Sequence, residues 1–125
     1  MNKEDILNME AGEELDELIA EKVMGFIKLP FPGLPKFQKP TDDGVIPLYY
    51  TPKYSTDISA AWEVVEKILK MPSSVNIQCD FHSDGNYFAC YIHPYPRDET
   101  KLIMEHAPTA PLAICRAALL AVMEL

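Results

Sequence analysis

Apolar positions recur at helical spacing in three stretches of the chain, with a proline-rich interval and a pair of alternating segments between them. Over 9–24, Leu15, Leu18, Ile19 and Val23 fall on one face opposite Glu14, Asp16, Glu17 and Glu21, the pattern of an amphipathic helix. Gly25 supplies a stop. Its carboxylates crowd the first half and Lys22 lies near the end, as the helix dipole favours. The acidic run reads as a solvated helix face rather than a metal site or a mimic of nucleic acid.

A second helix is predicted over 56–70, where Ile58, Ala61, Trp62, Val65, Ile68 and Leu69 form one stripe and Glu63, Glu66, Lys67 and Lys70 lie away from it. Ser55 or Thr56 would cap its start, and Met71-Pro72 marks its end. On this stripe Trp62 reads as a core residue, with stacking on a ligand ring as the alternative. A third helix begins near Thr109, with Pro111 in its first turn, and runs to the C-terminus. Leucine, isoleucine, valine, methionine and alanine fill it so completely that Arg116 is its one charge before Glu124. Such a helix must be covered on most sides, by the sheet and by other helices or a second copy of the chain, so a homo-oligomer is expected.

Asp84-Gly85 favours a two-residue hairpin turn, and that turn fixes a register. Phe81 pairs with Phe88, Cys79 with Cys90 and Ile77 with Ile92, which with Val75 gives one apolar face. The other face carries Asn76, Gln78, Asp80, His82, Tyr87, Ala89, Tyr91 and His93, either the wet side of an antiparallel sheet or a binding platform. His82 and His93 do not form a metal pair in this register, because they lie about 20 Å apart at the usual strand rise. Cys79 and Cys90 face each other but read as buried thiols.

The interval 26–52 holds six of the eleven prolines and two of the five glycines, which predicts a loop or lid over 29–52, with at most a short edge strand at Val45-Ile46 and Leu48-Tyr49-Tyr50. At 125 residues and 48% hydrophobic, the chain is expected to form one domain, 1–125, of the α+β class: a layered helix/sheet/helix sandwich with three helices and an antiparallel hairpin. No apolar run is long enough for a membrane span and the start lacks a signal-peptide pattern, so a cytoplasmic location without membrane contact is expected. Three cysteines without CxxC spacing imply neither a disulfide framework nor a zinc knuckle.

A net charge of −8 argues against a nucleic-acid polymer as partner, though one local cation still serves a small anion. Arg116 is the candidate. It either pairs with a carboxylate such as Asp57 or Glu63, the preferred reading, or projects into a cleft and binds an anion. No nucleophile triad, glycine-rich phosphate loop or metalloprotease helix is legible, so neither catalysis nor a cofactor is expected.

Three segments together resemble the phage ABA sandwich domain family: Glu14-Leu-Asp-Glu-Leu-Ile-Ala-Glu-Lys-Val-Met-Gly25, Tyr54-Ser-Thr-Asp-Ile-Ser-Ala-Ala-Trp-Glu-Val-Val-Glu-Lys67, and the terminal segment from Thr109. The resemblance implies helices layered on a sheet, a phage or prophage origin, and hence the host cytoplasm. It transfers no catalytic site. In that setting two functions are open. The first is capture of a small host molecule, such as a nucleotide-derived immune signal, by a non-catalytic anti-defence sponge whose pocket would draw on Arg116, Tyr54, Trp62, His82, Tyr87, Tyr91 and His93. The second is a protein-binding inhibitor or assembly factor that makes contact through the acidic first helix and the apolar last one.

Overall fold

A computed structural model describes residues 2–30, 35–70, 76–81, 88–93 and 103–123. The chain opens on a helix the apolar pattern did not announce, α1 (Lys3–Asn8), held by a capping box. The Asn2 side chain accepts the Asp5 N–H at 2.9 Å, and the Asp5 carboxylate accepts the Asn2 N–H at 2.9 Å. The helix expected over 9–24 begins later, as α2 (Glu13–Lys22). Gly25, at φ 75°, closes it, and the Phe26 N–H reaches back to the Ala20 carbonyl at 2.9 Å.

The described part of the proline-rich interval is largely paired strand, and the edge strand expected at Val45-Ile46 is present. It folds as β1 (Ile27–Lys28), β2 (Phe37–Thr41) and β3 (Gly44–Leu48), antiparallel in that order. Register explains how prolines fit. The Thr41–Gly44 pair closes a two-residue turn, so Pro40 and Pro47 both fall where the backbone nitrogen points away from the partner strand. β1 pairs only with Phe37 and Gln38, and β3 is an edge. Neither missing N–H therefore interrupts a ladder.

This small sheet is rooted at one end. Phe37 is fully buried in the core and Leu48 packs against it, while Lys36 bridges to Glu13 and, at 3.5 Å, to Glu17 of α2. The Lys39 ammonium lies 5.9 Å from the centre of the Phe26 ring. From Lys39 to Pro47 every residue is exposed, so the β2–β3 hairpin stands out from its root as an arm.

Next comes α3 (Ile58–Leu69), capped by Asp57, whose side chain accepts the Ser59 N–H. Neither Ser55 nor Thr56 is the cap. The buried face of α3 is Ala61, Val64, Val65 and Ile68; Ile58, Trp62 and Leu69 are about half exposed. Trp62, expected in the core, is 55% exposed. The predicted stripe was too wide, because six residues at helical spacing span more than the one face that packs.

Strands β4 (Asn76–Phe81) and β5 (Phe88–His93) pair in the expected register, with Cys79 opposite Cys90, and β6 (Ile103–Ala107) adds to the far side of β5. The turn at Asp84-Gly85 lies outside the described residues, as does Val75. Sequence reading missed β6 because its alternation is broken: Glu105 sits opposite Cys90, on the side where Ile103 and Ala107 pack. Cys90 and Ile92 are buried in the core, confirming the apolar face at these positions.

The last helix, α4 (Ala110–Met123), is the axis of the packing. It lies on β5 and β6, runs beside α3, and meets α1 and α2. Every residue from Pro111 to Leu120 is buried except Arg116. The fold is thus α+β, with helices layered on an antiparallel sheet. Cover for α4 comes from within the chain, so its apolar surface gives no ground for a second subunit.

The division of α3 into two faces is checked by chemical denaturation in dilute solution. Ile68→Ala should cost about 2–5 kcal/mol, as for other large-to-small core changes, whereas Trp62→Ala should cost less than about 1 kcal/mol. Equal losses would contradict this packing.

Candidate functional site

The candidate residues that the structure describes stand in different settings. Tyr54 is fully buried, in the turn that leads into α3. Trp62 points outward from α3. Tyr91 is half buried on the face of β5 opposite Cys90 and Ile92, between Gln78 and Met104 in the pairing. His93 ends β5 opposite Asn76, and His82 and Tyr87 lie outside the described residues.

Arg116 is held by backbone carbonyls. It forms no ion pair with Asp57 or Glu63. Instead Nη2 donates to the Met9 carbonyl at 3.2 Å and Nη1 to the His106 carbonyl at 3.4 Å, while Nε is buried without a hydrogen-bond partner among the described residues. The cause is local: α4 presents its one charge where the α1–α2 connection and the end of β6 each bring a carbonyl within reach, and a guanidinium has donors enough for both. The side chain clasps two chain segments 107 and 10 residues away in sequence.

A second polar arrangement, which sequence reading missed, lies deeper. Asp16 was placed on the solvated face of α2, yet it is 4% exposed. Its Oδ1 accepts the Ser55 N–H at 2.8 Å and the Ser55 hydroxyl at 2.6 Å, and the Ser55 Oγ accepts the Gly12 N–H at 2.9 Å. The 3.4 Å approach of that Oγ to the Gly12 carbonyl is a longer alternative for the same proton. The signal was in the spacing: Leu15, Asp16, Ile19, Ala20 and Val23 share one helical face, so position 16 was interior whatever residue stood there. Satisfied in this way, the carboxylate ties the start of α2 to the entry of α3.

Around it lie two groups held protonated. Burial pushes the Tyr54 hydroxyl far above its ordinary value, with the Glu63 and Asp16 carboxylates and then Cys115 adding to the effect. Burial pushes the Cys115 thiol up likewise, reinforced by Asp16. A buried neutral thiol and phenol beside a carboxylate make a poor nucleophile and no available base at neutral pH. Their role is to pack.

This arrangement defines the class first: an α+β sandwich with a polar, fully hydrogen-bonded interior lock and a projecting arm. The family model of the Phage ABA sandwich domain matches residues 17–119, and the chain belongs to that family, which is not a known enzyme family. It is also similar to the crystal structure of a phage protein from Bacillus cereus ATCC 14579, at 27% sequence identity over 90% of this chain and 92% of that one, with a TM-score of 0.58. Among curated proteins none matches. No helix among the described residues is long and apolar enough to cross a membrane.

The raised values of Tyr54 and Cys115 fix a pH dependence. The unfolded chain releases these protons near pH 10 and 9, whereas the folded chain keeps them, so folding stability is full below about pH 9 and falls as pH rises above it. Each group contributes a slope of up to about 1.4 kcal/mol per pH unit. Denaturant midpoints measured across the alkaline range should show the decline, and Tyr54→Phe should make it shallower. A midpoint independent of pH up to 11 would contradict the burial of both groups.

Proposed function

We propose that the protein is a phage accessory factor that acts by binding another protein, with the β2–β3 arm as its contact surface. The observation that carries this reading is the run of exposed apolar side chains on and just after the arm: Val45 at 53%, Ile46 at 49%, Tyr49 at 56% and Tyr50 at 77%. Val45 and Ile46 point to opposite faces of β3, so neither face of the arm is covered. Tyrosine at such exposure is the residue type that protein interfaces favour, since one end is apolar and the other makes hydrogen bonds. Pro47 lies within the edge strand and limits pairing with a further strand. Recognition therefore runs through side chains rather than strand addition.

The helix surfaces named from sequence serve this purpose less well. α4 is interior, and the outer side of α2 offers carboxylates with no adjoining apolar surface except half-buried Leu18. Sequestration of a small anionic molecule or nucleotide is the second reading. It keeps Tyr91, on the outward face of the sheet, and Trp62, but two of its parts are committed elsewhere: Arg116 to two carbonyls and Tyr54 to the core.

A photo-reactive amino acid placed at position 50 separates the two readings during infection. A discrete protein adduct should form, and the double variant Val45→Asp, Ile46→Asp should abolish it with the melting temperature unchanged. Absence of any protein adduct, together with a nucleotide retained by the purified protein and released intact on denaturation, would overturn the reading in favour of sequestration.

A further inference from the structure

We draw no further inference here: the strongest candidate, the exposed apolar face that Ile27, Pro40, Val45 and Pro47 share on the small three-stranded sheet, belongs to the contact surface already proposed, and nothing in the structure shows what covers it.

Discussion

Everything else in this fold answers to one constraint: α4 is apolar nearly all round and has to be kept from water on every side. A strand pair could not do this. The third strand, β6, widens the sheet under the helix, α3 flanks it, and α1 and α2 meet it as well. Leu112, Ile114, Cys115, Leu119 and Leu120 thereby join Ile6, Leu15, Ile19, Val64, Val65 and Ile68 in one cluster. Burial of each large aliphatic side chain contributes about 1.5–3 kcal/mol, so the terminal helix holds the other elements together more than it is held by any one of them.

Two polar arrangements inside this core each fix a connection. Asp16 and Ser55 join the start of α2 to the entry of α3. Arg116 joins the α1–α2 connection to the end of β6. Both are points where the chain changes direction between elements. These interior polar groups tie separate turns of the chain together, while the exposed apolar side chains of the arm lie outside the core.

Much of this was legible in the sequence. The register read from Asp84-Gly85 holds from Ile77 to Ile92, although the turn itself lies outside the described residues, because loop length decides which residues of a hairpin pair. The third helix was likewise readable, since an uninterrupted apolar run admits few arrangements, and the family was readable from the resemblance of three segments. What failed did so for physical reasons. Prolines argued for a loop over 29–52, but a proline is harmless at alternate ladder positions of a peripheral hairpin, and residue counting alone does not reveal which positions alternate. Asp16 and Trp62 were exchanged, the acid placed outside and the ring inside, because residue type was allowed to outweigh position: tertiary pairing buries a carboxylate that has donors, and a stripe wider than its contact leaves an indole in water. The candidate site was legible only as a set of residue types; which of them meet is decided by long-range packing.

The central claim is that Arg116 and its neighbours hold the fold together and that binding occurs on other surfaces. Thermal melts and binding assays on Arg116→Ala test it most directly. Loss of a charged donor to the Met9 and His106 carbonyls should lower stability by about 2 kcal/mol, while the adduct formed at position 50 should persist. An unchanged melt together with lost retention of an anionic ligand would contradict the account.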